Sequence, residues 1–275
     1  MSWHQIEAEC RRGAQARRIG SLREDCLGYA LRPQDPASLF ALGCDLARCL
    51  KRNGVLHSEW ARGWIVAAVD GTEMGSSFVR CCEACRERKV QRQVGEDLPV
   101  YPRLCALTIV STPFPIPWGI RFQKKGESEV ACTLALFEDL IDRLGRRFFD
   151  LLVADALYLQ KPFVEAVEAW GLAWVMNLKE DQPELLAEAQ RATAGPARFR
   201  QADRQPELEL GHAPEVYGAA ADRSIRIVKT VRILKKNRQG VSRAQAEKKH
   251  LREQSTNFYA SNFVLGSISP LFLHQ

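Results

Sequence analysis

The sequence predicts an α/β fold in which a mixed five-stranded sheet is flanked by helices. Five short apolar runs have the length of strands, and they lie at 64–69, 104–112, 117–124, 148–153 and 173–178. The first three follow one another without an intervening helical pattern, which is typical of an antiparallel meander. Amphipathic helical segments at 130–144 and 159–170 separate the last two, which predicts parallel crossovers. The 46% hydrophobic and 26% charged content is that of a globular protein.

A helical module is predicted ahead of the first strand, over residues 1–60. Pro33, Asp35 and Pro36 interrupt it, and apolar residues recur at helical spacing on both sides. These residues are Leu22, Cys26, Leu27 and Tyr29 before the break and Leu39, Leu42, Leu46 and Leu50 after it. The module also carries basic residues, namely Arg11, Arg12, Arg17, Arg18, Arg48, Lys51 and Arg52. They form either a DNA-contacting surface or an ordinary solvated helix face.

Acidic residues follow two of the apolar runs. Asp70 comes directly after WIVAAV, and Asp155 follows FFDLLV and Ala154. Strand carboxyl ends are where open α/β sheets place their chemistry. Two carboxylates on neighbouring strands can share Mg²⁺ or Mn²⁺ ions, and such ions assist the displacement of a phosphodiester. The alternative is that both acids are cap or turn residues, and their spacing alone does not separate the two interpretations.

The sequence Asp70-Gly71-Thr72 also suggests phosphatases of the haloacid dehalogenase type. Those enzymes use an aspartate nucleophile two residues before the aspartate of such a motif. Ala68 stands at that position in this chain, so covalent catalysis of this kind lacks its nucleophile.

The region after the fifth strand has a mixed character. Residues 195–224 are rich in Pro, Gly and Ala and predict a loop or an irregular insertion. Residues 225–234 alternate apolar and basic side chains, which predicts a half-exposed strand, and 258–263 predicts one more strand. We therefore expect three regions: a helical module at 1–60, a core at 61–180, and a β-containing insertion with a basic stretch at 181–275.

The basic stretch runs from Lys229 to Arg252 and holds nine Lys or Arg residues and one acid, Glu247. Charge runs are usually solvated surface, yet this number of cations can contact several DNA phosphates. The formal net charge of +6 permits a nucleic-acid partner without requiring one. The candidate DNA-binding residues are Lys229, Arg232, Lys235, Lys236, Arg238, Lys248 and Lys249.

The chain has nine cysteines and no hydrophobic signal core at its N-terminus, so reduced thiols and a cytoplasmic location are expected. No apolar run reaches the roughly 18 residues of a membrane span. Cys81, Cys82 and Cys85, with Cys105 further on, could form part of a zinc site. A complete set of four ligands is not evident, and incidental thiols are the better interpretation.

Three sequence blocks resemble the DDE transposases of bacterial insertion sequences. They are VAAVDGTEM at 66–74, LLVADALYLQKPFVEAV at 151–167 and WVMNLKEDQPELLAEA at 174–189, and the resemblance extends from about Ser21 to the end of the chain. It implies a ribonuclease H-like core in which Asp70 and Asp155 bind Mg²⁺ or Mn²⁺. It also implies hydrolysis and strand transfer of double-stranded DNA at element ends and targets, by a homodimer on paired ends.

The resemblance further implies a third acid, a Glu on a helix after a strand similar to FYASNF, in an Arg-Trp, Ile-Glu type of motif. No such motif follows Phe263, and the late acids Glu247 and Glu253 precede that strand. We therefore expect a truncated transposase whose strand transfer is impaired or lost. The alternatives are a DNA-binding remnant without catalysis and a ribonuclease H-like nuclease, which the third block disfavours.

Overall fold

The computed structural model describes residues 33–57, 61, 63–74, 86–87, 90–91, 96–97, 100–197, 199–201, 207–218, 223–235 and 252–262. Two compact units divide the chain, Met1–Asp45 and Leu46–Gln275. The first unit is described from residue 33, and helix α1 (Pro36–Arg52) begins in it. The helix predicted before Pro33 and its basic residues lie outside the described residues, and these are Arg11, Arg12, Arg17 and Arg18.

The second unit contains a single nine-stranded mixed sheet, which confirms the α/β class and corrects the predicted number of strands. The strands are β1 (Val66–Glu73), β2 (Arg103–Ile109), β3 (Ile116–Phe122), β4 (Leu151–Ala154), β5 (Ala173–Leu178), β6 (Phe199–Gln201), β7 (Glu207–Gly218), β8 (Arg223–Lys235) and β9 (Arg252–Ser261). Their order across the sheet is β6-β7-β8-β9-β5-β4-β1-β2-β3. Arg86–Glu87 pairs with Val100–Tyr101, and Val90–Gln91 pairs with Glu96–Asp97, outside this sheet.

The predicted strand directions are confirmed. β1, β2 and β3 form an antiparallel meander, and β1, β4 and β5 are mutually parallel neighbours. The crossovers between parallel strands contain α2 (Glu129–Leu144), then a 3₁₀ turn (Ala156–Tyr158) with α3 (Lys161–Ala169). A helix that the sequence did not predict, α4 (Pro183–Ala192), follows β5.

Local sequence explains where α2 begins and ends. The Ser128 hydroxyl accepts a hydrogen bond from the Ala131 N–H at 3.1 Å, which caps the first turn. Gly145 ends the helix at a φ of 88°, a conformation that favours glycine. Between them, Cys132, Leu136 and Leu140 recur at every fourth position and are buried. The helix therefore packs one apolar face onto the sheet.

The predicted loop at 195–224 is wrong, because it contains strands β6 and β7. The pairing of β7 with β8 shifts register between Ala213 and Val216, around Pro214. Such a bulge interrupts the alternation of side chains and accommodates a proline within a strand. The bulge therefore hides the alternation of apolar and polar residues by which β7 could be predicted from sequence.

The predicted strands at 225–234 and 258–263 are both present, but the first is largely buried rather than half-exposed. Strand β9 begins six residues earlier than expected, at Arg252. Residues Phe258–Ser261 of β9 pair antiparallel with β5. Strands β6 to β9 therefore extend the core sheet at the edge that β5 would otherwise expose.

The two faces of the sheet differ in what covers them. The face that we call the acid face carries Val66, Ala68 and Asp70 of β1, because side chains alternate along a strand. Val66 packs there in a cluster with Ala61, Leu151 and Val175. The opposite face, which we call the helix face, lies against α2, since a Cβ added to Gly119 would meet side chains of that helix at 2.9 Å. The acid pair and the α2 helix are thus on opposite sides of β1.

Helix α1 is confirmed, but the apolar residues that predict it do not form its buried face. Leu42 and Leu46 are 65% and 57% exposed, whereas Cys44 and Ala47 are buried. Helical periodicity identified the helix but not the side that packs. No helix among the described residues combines the length and the apolar character that crossing a membrane requires.

Candidate functional site

Asp70 and Asp155 lie side by side on the acid face. The parallel ladder between β1 and β4 pairs Val66 with Leu151 and Ala68 with Val153. Two residues further along are Asp70, which lies within β1 rather than at its end, and Asp155, which directly follows β4, so both side chains point to the same face. Neighbouring strands are about 4.8 Å apart. The two acids that the sequence singled out are therefore adjacent in space.

Asp155 is both a cap and a candidate ligand. Its carboxylate accepts a hydrogen bond from the Ala156 N–H and caps the 3₁₀ turn, with a φ of −75° and a ψ of 169°. The alternative interpretation, a helix cap, is thus correct for this residue. Capping uses only Oδ1, and a carboxylate oxygen has more than one lone pair. The two roles do not exclude each other.

Lys179 forms an ion pair with Asp155. Its Nζ lies 2.8 Å from Oδ1 and donates a hydrogen bond to Oδ2 at 2.9 Å. This hydrogen bond lowers the pKa of Asp155, the Ala156 N–H lowers it further, and partial burial opposes both. The same hydrogen bond raises the pKa of Lys179, and the charges of Asp155, Asp181 and Asp70 raise it further. One ammonium group therefore interacts with both candidate acids.

The donor set is suited to a hard divalent cation. Asp70 is exposed, and its Oδ1 accepts a hydrogen bond from the Gly71 N–H at 2.9 Å. Two carboxylates supply the oxygen ligands that Mg²⁺ and Mn²⁺ prefer. Within the described ranges, no group of three or more His, Cys, Asp or Glu side chains is arranged to hold a metal ion.

Among the described residues, neither Glu247 nor Glu253 is placed beside Asp70 and Asp155 as a third acid. Glu253 of β9 pairs with Leu234 of β8, and it lies outside the segment Phe258–Ser261 that pairs with β5. Glu247 lies outside the described residues.

A buried polar network lies behind β1, on the helix face. Glu129, only 8% exposed, accepts hydrogen bonds from Arg103 at 2.5 Å and from the Tyr158 hydroxyl at 2.9 Å. The Thr133 and Tyr158 hydroxyls are 3.2 Å apart. A Cβ on Gly71 would lie 2.4 Å from the Glu129 carboxyl carbon, so a larger residue beside Asp70 would displace this carboxylate from its partners. This network joins α2 to β2 and to the 3₁₀ turn.

The described cysteines are free thiols, as expected. Burial raises the pKa of Cys132 to about 12 and also raises that of Cys105, whose Sγ donates to the Glu129 carbonyl at 3.5 Å. Cys105 is thus part of the packing around α2. The candidate zinc ligands lie outside the described residues, and these are Cys81, Cys82 and Cys85.

The predicted basic surface is divided by the sheet. Lys229 and Arg232 are three residues apart on β8, so their side chains point to opposite faces. Arg232 is on the acid face and exposed, since β8 and β9 pair Thr230 with Asn257. Lys235 ends β8, and the remaining candidates lie outside the described residues, namely Lys236, Arg238, Lys248 and Lys249.

Lys229 and Lys179 line one cleft of about 760 Å³. The cleft lies at the end of β5, and Gln190 of α4 and Asn257 of β9 also line it. Lys229 lies on the helix face, so it lines this cleft without sharing a face with the acid pair.

Two of the basic residues predicted on the helical module contact the core instead. Arg48 donates to the Arg143 carbonyl, and Lys51 donates to the Arg147 carbonyl at 2.5 Å and the Phe148 carbonyl at 2.9 Å. Burial lowers the pKa of Lys51, partly offset by the charge of Asp150. These side chains satisfy carbonyls in the last turn of α2 and just after it, and fix the end of α1 to it.

Lys179 is the site residue that sequence reasoning missed. It is the first residue after β5, a strand that the sequence predicts. Its place within NLKEDQPELL was the available signal, but a lysine after a strand is common on protein surfaces.

No protein-family model and no curated protein matches this chain. The functional conclusion therefore depends on the site geometry and on the sequence blocks described above.

Proposed function

We propose that this chain is a transposase-type protein that cleaves and joins phosphodiester bonds of double-stranded DNA with Mg²⁺ or Mn²⁺. The observation that carries the proposal is the adjacency of Asp70, which lies within β1, and Asp155, which directly follows β4. The element order of three strands, helix, strand, helix, strand supports a ribonuclease H-like core. As in the DDE transposases that it resembles, the chain would act on paired DNA ends as a dimer.

In this proposal Asp70 and Asp155 would hold the metal ions. Such ions activate a nucleophilic oxygen and stabilise the leaving oxygen when phosphodiesters are displaced. The protein's part is to orient the two carboxylates. The Gly71 N–H holds Asp70, and the Ala156 N–H holds Asp155. The close packing of Gly71 on Glu129 sets the position of the strand end that carries Asp70.

Nicking of supercoiled plasmid DNA by the full chain in Mn²⁺ tests the proposal. Asp70→Asn and Asp155→Asn should each reduce the rate at least about 10-fold, because losing a metal ligand costs at least as much as losing an outer partner. Asp142→Asn, an exposed acid on α2, is the matched control and should nick like the wild type. Nicking that continues at the same rate in both site variants would show that the acid pair is not the catalytic site.

A second candidate function is DNA binding without catalysis. It is favoured by one observation, namely that the described residues bring together two acids rather than the three that the DDE resemblance implies. This candidate predicts DNA binding that is equal with Mg²⁺ and with a chelator, strong salt dependence, and no nicking. Fluorescence anisotropy with a labelled duplex, measured beside the plasmid assay, distinguishes the two functions.

A further inference from the structure

The Lys179 ammonium already occupies one of the two carboxylates of the acid pair. It contacts both oxygens of Asp155, at 2.8 Å and 2.9 Å. The charge of Asp70 also acts on it. Its partner carboxylate is 45% exposed and Lys179 is 49% exposed, so the pair is open to solvent and to small ions.

The backbone beside Lys179 is firmly held. Leu178, the preceding residue, is buried and pairs with Phe258 of β9. The ammonium, in contrast, is at the end of a flexible four-carbon side chain. Lys179 can therefore leave Asp155 without any movement of the sheet, and the adjoining cleft of about 760 Å³ gives the side chain room.

We propose that Lys179 is a positioning residue that acts as the resident counter-ion of the Asp70 and Asp155 pair, and that a divalent metal ion must displace its ammonium from Asp155. This inference rests on the proposed metal site. The ammonium already bonds both oxygens of Asp155, and a divalent cation at the same carboxylate would repel it, so the two cations compete. Lys179 thereby lowers the apparent metal affinity of the site and balances the repulsion between the two acids in its absence.

Binding of Mn²⁺ to the full chain, followed by the electron paramagnetic resonance signal of the free ion, tests the competition. Lys179→Gln should bind Mn²⁺ about 3- to 10-fold more tightly than the wild type, because a largely exposed ion pair is weak. Lys179→Arg keeps the charge and should restore the wild-type affinity. Lys125→Gln removes one exposed positive charge elsewhere and should not change it.

The same titrations separate failure of this inference from failure of the proposed function. If Lys179→Gln binds Mn²⁺ as the wild type does or more weakly, while Asp155→Asn abolishes binding, the competition is wrong and the metal site stands. If Asp155→Asn binds Mn²⁺ as well as the wild type, the metal site is wrong and the competition with it. A purely structural role of Lys179 would lower stability and would not raise metal affinity.

Discussion

Two ion pairs, each between one carboxylate and one basic side chain, lie on opposite faces of the sheet. On the helix face, Glu129 is 8% exposed and Arg103 is 31% exposed. On the acid face, Asp155 and Lys179 are 45% and 49% exposed. Their chemistry is similar, yet their surroundings differ. Burial makes the first pair part of the fold, and exposure leaves the second available to a ligand.

The physical reason is the cost of leaving a charge without a partner. In a buried network, losing one partner leaves another polar group without a hydrogen bond in a low-dielectric environment. At an exposed site, water and ions replace the partner at little cost. The predictions below test this difference, from the largest expected effect to the smallest.

Glu129→Ala should have the largest effect on stability. It leaves the Arg103 guanidinium and the Tyr158 hydroxyl without their acceptor. We expect a loss of about 3–5 kcal/mol in the free energy of unfolding, measured with urea. Glu138→Ala, at an exposed position of the same helix, is the control and should change it by less than about 0.5 kcal/mol. Equal losses in the two variants would contradict the structural role of the network.

Gly71→Ala should come next, because the new methyl group would overlap the Glu129 carboxylate. Overpacking of this kind costs about 1–3 kcal/mol. The cost should be smaller in a chain that already carries Glu129→Ala, since the obstacle is then gone. Urea unfolding of the two single variants and the double variant measures this coupling. Strictly additive losses would show that the two residues do not meet.

Alkaline pH should lower the stability of the folded chain through the buried Cys132 thiol on the helix face. The ordinary pKa of the Cys132 thiol is 9.0, and burial raises it to about 12 in the folded chain. Above pH 9 the unfolded chain loses this proton while the folded chain keeps it, so stability falls as pH rises towards 12. The slope for one thiol is at most about 1.4 kcal/mol per pH unit.

Urea unfolding tests this effect at about pH 8 to pH 10, a range in which most other side chains keep their charge. Cys132→Ala should give a shallower decline than the wild type. Cys49→Ala, at an exposed free cysteine, is the matched control and should decline like the wild type. The same slope in all three proteins would rule out a contribution from Cys132.

Lys179→Gln should have the smallest effect on stability, less than about 1 kcal/mol, because its ion pair with Asp155 is half exposed. The small loss should shrink further at high salt. A loss above about 2 kcal/mol in urea unfolding would place this pair with the Glu129 network instead.

Much of the core was predictable because its signals are local. The strand Ala173–Leu178 has the predicted bounds, and α2 begins one residue before the predicted helix. Apolar runs and helical periodicity depend on a few neighbouring residues, so they can be read without tertiary contacts. The strand directions followed from the order of these elements.

Other features were not predictable because they depend on distant partners. The apolar residues of α1 showed a helix, but Leu42 and Leu46 turned out to be exposed. Strand β7 was hidden by its bulge, which has meaning only relative to β8. Glu129 looks like an ordinary first-turn acid of a helix until Arg103 and Gly71 come beside it.

Local sequence is sufficient to predict that Asp70 and Asp155 each follow a buried apolar run, because hydrophobic runs and their ends are local properties of the chain. That the two acids are neighbours on one face depends on tertiary structure, because their alignment is set by the register between β1 and β4, which β2, β3 and α2 separate along the chain. The tertiary structure also decides which cation meets them. Lys179 reaches Asp155 because β5 pairs in parallel with β4 and ends beside it.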